Sequence, residues 1–352
     1  MMKMNKWTMA LAAAGVVSLS SVAQAQEAAA GADALAASTT LSGYVSTSYT
    51  LQDGNGNTGL PIQKTNGTET GGFKLDVVSL TLASAQGAGE YATGYTVGMW
   101  IGPDDQETAD DEFELTQANI DLRLPVGNGV DLKVGYMPTI VGYETYEYTD
   151  NAFFQRGLGF SVEPTHHTGV LASYQLSDDL GVSVGIVNDA EDNNANSRAG
   201  TSDGANSFAA AVSYTLSDSL GAASGTTLYG ATLQDYNGAD YWYAQVGLPV
   251  PVEGLTLDLA ADWVDYENDR DDEIYQAYLS YALSDSTTLN VRYEVGTIDG
   301  ASGTSLTDLD SVAVGVTHQL WDNVISRVEW MSTSEEGDDD DDTLAFNIVY
   351  SF

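Results

Sequence analysis

The sequence predicts an all-β protein, a transmembrane antiparallel β-barrel of about 16 strands with short periplasmic turns and long extracellular loops. Three observations predict it. Apolar and polar residues alternate with a period of two in segments of about ten residues. The connections between these segments alternate between short turns and longer loops. The chain also ends on an apolar-faced strand whose last residue is an aromatic, Phe352.

The alternation is clearest over residues 343–352. Leu344, Phe346, Ile348 and Phe352 share one face with Tyr350, and the residues between them form the other face. A strand that ends on an aromatic residue resembles the C-terminal signal of bacterial outer-membrane proteins, which the barrel-assembly machinery reads. We therefore expect Phe352 to be an assembly signal and the assembly machinery to be a partner.

Working back from the last strand, the same alternation predicts an even number of strands. An even number lets an antiparallel barrel close with both termini on one side. The sixteen predicted strands are residues 39–51, 73–84, 90–101, 113–125, 130–141, 166–177, 180–188, 206–217, 226–235, 240–250, 254–265, 273–284, 287–298, 309–320, 323–333 and 343–352.

The connections differ in character on the two sides of the predicted barrel. Short turns rich in Asp, Ser, Gly and Pro include the Leu-Ser-Asp sequences that begin at 176, 216 and 283. Mostly longer loops, acidic or rich in Gly and Asn, lie between the short turns. Short periplasmic turns and long outer loops are the asymmetry of outer-membrane barrels. The loops are 52–72, 102–112, 142–165, 189–205, 236–239, 266–272, 299–308 and 334–342.

The N-terminal segment has the pattern of a secretory signal peptide. Lys3 and Lys6 give a positive start, Met9 to Val17 an apolar region, and Ala23-Gln24-Ala25 a cleavage site. The apolar region is too short to span a bilayer. We expect export to the bacterial outer membrane. The predicted organisation is a signal peptide (1–25), a periplasmic N-terminal lead (26–38) and an outer-membrane barrel (39–352).

The composition is strongly acidic and contains no cysteine. The chain has 51 Asp and Glu against 11 Lys and Arg, a net charge of −40. Such a surface repels nucleic acid and favours cations, although many of the acids could simply solvate loops in a salty habitat. The absence of cysteine excludes disulfides, thiolate metal sites and Cys nucleophiles.

Parity along the strands predicts which charged residues face the lumen. A Lys or Arg that points into lipid costs roughly 2–4 kcal/mol near the midplane. In residues 289–295 the apolar residues are odd-numbered, so Arg292 and Glu294 should face inward. We expect a water-filled lumen, because burying unpaired ions costs several kcal/mol each. The same test places inward Asp121 with Arg123, Asp131 with Lys133, Asp258 with Asp262, and Arg327 with Glu329.

Residues 135–175 resemble the OmpL-like putative β-barrel porin family of bacterial outer-membrane porins. The resemblance is carried by Gly135-Tyr136-Met137-Pro138-Thr139, Gly142, Glu144, Asn151, Arg156, Pro164 and His167-Thr168-Gly169. It implies an outer-membrane channel, and the barrel pattern extends it over residues 39–352. It does not imply a particular solute.

The loop from Gly142 to Thr165 follows the fifth strand, where sixteen-stranded porins fold a loop into the lumen. Folded inward, it would narrow the pore, and its acids would favour cations. The predicted constriction residues are Glu144, Glu147, Asp150 and Arg156, with Arg156 paired to one of the acids. The alternative is an ordinary extracellular loop capped by aromatic residues.

No catalytic residue, resident cofactor or specific metal site is predicted. His166 and His167 are adjacent in a strand and should point to opposite faces, so they cannot readily chelate one ion. Weak binding of Ca²⁺ or Mg²⁺, or bridging to lipopolysaccharide, is an alternative to simple solvation for one acidic run. That run consists of Asp338, Asp339, Asp340, Asp341 and Asp342.

Together these features predict a non-enzymatic porin, a passive diffusion channel for small hydrophilic solutes with a preference for cations. One alternative is a sugar-selective porin that uses the 20 tyrosines for stacking. Another is a structural or adhesive surface barrel. The expected partners are outer-membrane lipid and lipopolysaccharide, the assembly machinery, small hydrophilic solutes and cations, but not nucleic acid. A homotrimer and a monomer both remain open.

Overall fold

The computed structural model describes residues 38–53, 71–102, 113–188, 206–266, 270–299, 306–335 and 340–352. The predicted signal peptide and residues 26–37 of the predicted lead lie outside these ranges. Within the described ranges, no helix is long and apolar enough to cross a membrane.

Sixteen antiparallel strands close into one barrel, which confirms the predicted fold class. Each strand pairs with the next along the chain, and β1 closes the barrel by pairing with β16. The strands are β1 Thr39–Asp53, β2 Gly71–Ser84, β3 Thr93–Ile101, β4 Phe113–Leu124, β5 Val130–Pro138, β6 His166–Gln175, β7 Leu180–Asn188, β8 Asn206–Thr215, β9 Thr227–Tyr236, β10 Ala239–Leu248, β11 Leu255–Tyr266, β12 Arg270–Ser284, β13 Thr287–Ile298, β14 Leu306–Trp321, β15 Val324–Ser334 and β16 Asp341–Ser351.

The period-two pattern fixes the two faces of the wall. In β13, Arg292 and Glu294 are fully buried, whereas Tyr293 between them is 50% exposed on the outer surface. Aromatic residues also cluster outside near the strand ends: Tyr49 packs on Phe73 with ring centres 4.6 Å apart. An outward apolar surface with aromatic margins is what a lipid-facing barrel requires.

The seam between β1 and β16 joins the two ends of the described barrel. Paired residues run from Tyr44 with Ser351 to Asp53 with Asp342. At its periplasmic end, the Gly43 N–H donates to the Phe352 carbonyl at 3.1 Å, and the Phe352 N–H donates to the Gly43 carbonyl at 2.9 Å. The last residue therefore completes the closing ladder.

The connection between β5 and β6, residues 139–165, lies inside the barrel and is called the lumenal loop below. It contains a 3₁₀ turn, Tyr148–Asp150, and a short helix, α1, Leu158–Val162. Tyr148 packs with wall residues Tyr44 and Trp100. On the other side of the lumen, Phe153 packs with residues of β12, β14 and β15. The buried core of the molecule thus lies between this loop and the wall.

The acidic run 338–342 is not wholly a loop tip, which corrects one expectation. Asp341 and Asp342 belong to β16, and Asp341 is only 2% exposed. They continue the strand because their backbones pair with Thr333 and Ser332 of β15. Asp338 and Asp339 lie outside the described residues.

Candidate functional site: the lumenal loop and the wall that holds it

Glu147 joins the loop to the wall formed by β1, β2 and β3. Its Oε2 accepts hydrogen bonds from the Tyr44 hydroxyl at 2.7 Å, the Trp100 indole N–H at 3.1 Å and the Ser79 hydroxyl at 3.3 Å. Burial raises the pKa of Glu147 above its ordinary value, and these hydrogen bonds oppose the rise. Of the predicted constriction acids, this one is therefore an anchor of the loop.

Glu144 and Arg292 form the second anchor. Arg292 joins β13 to the loop, because its Nη1 lies 2.6 Å from Glu144 Oε1. Its Nε lies 3.0 Å from Glu294 Oε2 on the same strand. Arg292 also donates to the carbonyls of Gln155 at 3.0 Å and Arg156 at 3.1 Å. One guanidinium thus holds two carboxylates and two loop carbonyls.

Backbone groups of the loop find their remaining partners on wall side chains. Glu329 of β15 accepts from the N–H groups of Phe154 and Gln155, the latter at 3.0 Å. Arg327, also of β15, donates to the carbonyls of Tyr148 and Asn151, each at 3.0 Å. A non-helical segment inside a barrel needs such partners, because buried backbone groups without them cost free energy.

Glycines in the loop let the wall come close. A Cβ on Gly157 would lie 2.6 Å from Glu294 Oε2, and one on Gly159 would lie 2.6 Å from Gln276 Cδ. The Gly159 N–H donates to Glu294 Oε1 at 3.2 Å. The two glycines therefore leave room for the Glu294 carboxylate and the Gln276 amide beside α1.

The predicted ion pair of Arg156 with a loop acid is wrong. Arg156 instead donates to the Tyr146 carbonyl at 2.5 Å, and its guanidinium lies over the rings of Tyr148 and Phe160 at 5.1 and 4.7 Å. Within the described ranges it has no acid within 4.0 Å. The reason is competition, because Glu144 is held by Arg292 and Glu147 by wall donors.

The third predicted constriction acid, Asp150, has a different environment. It ends the 3₁₀ turn, and the structure leaves it exposed. Within the described part of the chain, its carboxylate accepts one long hydrogen bond, 3.4 Å, from the hydroxyl of Thr149. The structure thus separates the loop acids into two anchors and one carboxylate open to solution.

Other inward charges lie on β4 and β5 towards the periplasmic turns. Lys133 Nζ lies 2.8 Å from Asp121 Oδ1, with side chains 15% and 18% exposed. Arg123 Nη1 lies 3.2 Å from Asp131 Oδ1, with side chains 24% and 26% exposed. These two pairs are open to water.

The expectation of a water-lined lumen fails for the charges of β13 and β15. Arg292, Glu294, Arg327 and Glu329 all lie on the lumenal face, but each is at most 2% exposed. The lumenal loop covers them. Alternation identifies the face on which a side chain lies, but it does not show what covers that face. The loop forms hydrogen bonds with each of these four side chains, which lowers the cost of burying them.

The two remaining predicted lumenal acids serve as acceptors for neighbouring side chains. Asp258 accepts from the Tyr143 hydroxyl of the loop at 3.0 Å. Asp262 accepts from the Gln276 amide of β12. Asp258 and Asp262 therefore lie against the loop side of the wall.

The adjacent histidines are both buried under the loop. The His166 ring stacks on Tyr136 with centres 5.1 Å apart, and His167 Nε2 lies 2.9 Å from the hydroxyl oxygen of Thr139. In the part of the chain that the structure describes, no group of three or more His, Cys, Asp or Glu could hold a metal ion.

Sequence reasoning missed the aromatic wall residues that receive the loop, Tyr44 and Trp100. Trp100 stacks on Tyr148 with centres 5.4 Å apart and planes 6° apart. A signal for Tyr44 was available, because it shares the inward face of β1 with the small residues Ser46 and Ser48. A large aromatic on such a face indicates that something packs against it.

A closed barrel with an infolded loop and an apolar outer surface defines the class, an outer-membrane barrel of the porin type. The family model "Putative beta-barrel porin-2, OmpL-like" matches residues 38–352. The chain belongs to this family.

Solved structures with the same fold are distant in sequence. A loop L8 deletion mutant of OmpT from Vibrio cholerae has a TM-score of 0.63 and 13% identity, covering 89% of this chain and 99% of that one. The trimer form of in-vitro folded OmpT has a TM-score of 0.61 and 12% identity, with 89% and 99% coverage. An anion-selective porin from Comamonas acidovorans has a TM-score of 0.61 and 12% identity, with 90% and 99% coverage. None of the curated proteins matches the sequence.

Proposed function

We propose that the protein is a passive diffusion channel for small hydrophilic solutes that prefers cations. One observation carries the sign of the preference: acids exceed bases on the described lumenal face and lumenal loop. The bases are Lys74, Arg123, Lys133, Arg156, Arg270, Arg292 and Arg327. The acids are Asp76, Glu114, Asp121, Asp131, Glu144, Glu147, Asp150, Glu163, Asp258, Asp262, Asp272, Glu294, Glu329 and Asp341.

A lumen with this excess attracts counter-ions, because a low-dielectric wall focuses the field of its charges. One structure with the same fold is titled an anion-selective porin. The sign of selectivity therefore depends on the side chains of each lumen and not on the fold. We assign the largest effect in the loop to Asp150, because Glu144 and Glu147 are occupied as anchors.

The test is the reversal potential of the purified protein in planar bilayers under a salt gradient. We expect cation over anion preference, and we expect Asp150→Asn to lower the permeability ratio by about twofold, a change of roughly 0.4 kcal/mol. Asp285→Asn is the matched control, since Asp285 is exposed in the turn between β12 and β13. A ratio near one, or equal effects of the two substitutions, would refute the proposal.

The same recordings separate the alternative functions. A sugar-selective channel would be blocked by its solute, and a structural or adhesive barrel would show no regular conductance steps. Four tyrosines of the lumenal face and loop, Tyr44, Tyr146, Tyr148 and Tyr278, are buried against the loop or the wall. They therefore offer no open ring face for a sugar, which favours a general channel. Membership of a porin family supports a protein without enzymatic activity.

For the assembled state we propose a homotrimer in the outer membrane. The similarity to a structure described as the trimer form of OmpT supports it. Lipopolysaccharide and the assembly machinery are the proposed partners of the loops and of Phe352, with weak divalent binding at residues 338–342. Native mass spectrometry of the purified protein should give three copies, and a monomer at all detergent concentrations would contradict this.

A further inference from the structure

Glu163 and Asp262 form a buried carboxyl pair where the loop returns to β6. Glu163 is 7% exposed and Asp262, on β11, is 3% exposed. Their carboxyl groups lie close enough together to interact directly. Gln276 of β12 donates its amide N–H to Asp262 as well. The pair thus ties the end of the loop, just after α1, to the wall.

Among the described residues, the groups around this pair supply no free base. Arg292 of β13, with its Nη1 on Glu144 and its Nε beside Glu294, is already occupied. The nearby tyrosine hydroxyls also donate elsewhere: Tyr143 of the loop to Asp258, Tyr243 of β10 to Gln245, and Tyr278 of β12 to Gln276. The charged groups that act on the pair are Glu144 from the loop and Glu294 from β13.

Two ionised carboxylates cannot hydrogen-bond to each other, because neither carries a hydrogen to donate. We propose that Glu163 and Asp262 share one proton at neutral pH, and that this proton is a latch that holds the α1 side of the lumenal loop against β11 and β12. Removing the proton leaves two like charges in contact and frees this side of the loop.

The direction of the pH dependence follows from linkage. Burial, followed by the charge of Asp262, raises the pKa of Glu163 well above its ordinary value of 4.5. The docked loop therefore holds a proton that an undocked loop would lose. Docking of the loop is most favourable at pH values below the ordinary pKa of Glu163. As the pH rises through the raised pKa, the docking equilibrium weakens by up to about tenfold per pH unit.

Hydrogen exchange of the loop tests the latch without relying on conduction. The purified barrel is studied in lipid between about pH 6 and pH 10, with backbone exchange over residues 157–165 corrected for its intrinsic pH dependence. The open fraction should rise with pH in the unmodified protein, by up to about tenfold per unit. A flat open fraction over this range would overturn the proposal, even if the protein conducts as proposed.

Amide variants make the test specific. Glu163→Gln and Asp262→Asn each supply a permanent N–H donor to the remaining carboxylate, so each should keep the loop docked and remove the pH slope. Asp285→Asn, in an exposed turn, should keep the slope. The infrared band of protonated carboxyls should lose the contribution of this pair in both amide variants. Persistence of the slope, or a band unchanged from that of the unmodified protein in both variants, would overturn the latch. If one variant fails to close its barrel, the unmodified slope and the other variant still decide.

Discussion

Arg292 of β13 makes several contacts with the lumenal loop. It is fully buried, and it contacts Glu144, Glu294 and two loop carbonyls at 2.6 to 3.1 Å. Removing one partner of a buried ion pair leaves the other charge buried and uncompensated. By contrast, the half-exposed pair of Arg123 and Asp131 remains in contact with water. The two arginines therefore differ in environment although both face the lumen.

We predict that Arg292→Met lowers the free energy of unfolding by roughly 3–5 kcal/mol, the cost typical of a broken buried pair. Arg123→Met should cost roughly 0–1 kcal/mol, as exposed pairs do. Guanidinium titration of the barrel in lipid vesicles measures both. Equal effects of the two substitutions would contradict the buried anchor.

At the same scale, the sequence indicates the face of a residue but not its partner. Parity placed Arg292 and Glu294 inward, and the structure has them there. It could not show that Glu144, distant in sequence, pairs with Arg292, or that Arg156 contacts aromatic rings instead of an acid. Such choices depend on the path of a loop that has no regular pattern.

The closing seam depends on close backbone contact between β1 and the chain end. A Cβ on Gly43 would collide with the Ser79 carbonyl and lie 2.9 Å from the Phe352 ring. Phe352 also makes both backbone hydrogen bonds to Gly43. The last residue therefore acts in closure as well as forming the aromatic face expected of an assembly signal.

We predict that deleting Phe352, or substituting Gly43→Val, reduces the amount of folded barrel in the outer membrane more than the small buried area suggests. Gly89→Ala is the control, since a Cβ there meets no atom within 4 Å. Heat-modifiable gel migration of membrane fractions measures the folded barrel. Normal levels for both seam variants would refute this role.

The strands could be predicted because a regular alternation runs through each one and turn residues mark its ends. The loop elements could not be predicted. The predicted strand at 287–298 matches β13, Thr287–Ile298, since its alternation is uninterrupted. The structure of the lumenal loop, with its 3₁₀ turn and α1, follows from contacts with six or more strands. No periodicity within residues 139–165 encodes those contacts.

For the whole molecule, the excess of inward acids should act on ions through the solution in the lumen. Solvent-exposed charges are screened over about 10 Å at 0.1 M salt and about 3 Å at 1 M. Glu144 adds little to this field because its charge is compensated by Arg292. The partly exposed Lys133 and Asp121 pair adds no net charge as long as both partners are present.

Breaking that pair from either side should therefore shift selectivity in opposite directions. Lys133→Met leaves Asp121 as an uncompensated carboxylate facing the lumen, and we predict a higher cation preference at 0.1 M salt. Asp121→Asn leaves Lys133 uncompensated and should lower that preference by a similar factor. At 1 M salt both shifts should be smaller, because the shorter screening length limits the effect of each charge to ions in direct contact with it. Reversal potentials at the two salt concentrations measure both shifts. If the two shifts have the same sign, or if salt does not affect them, these side chains act by changing the shape of the lumen and not through its electric field.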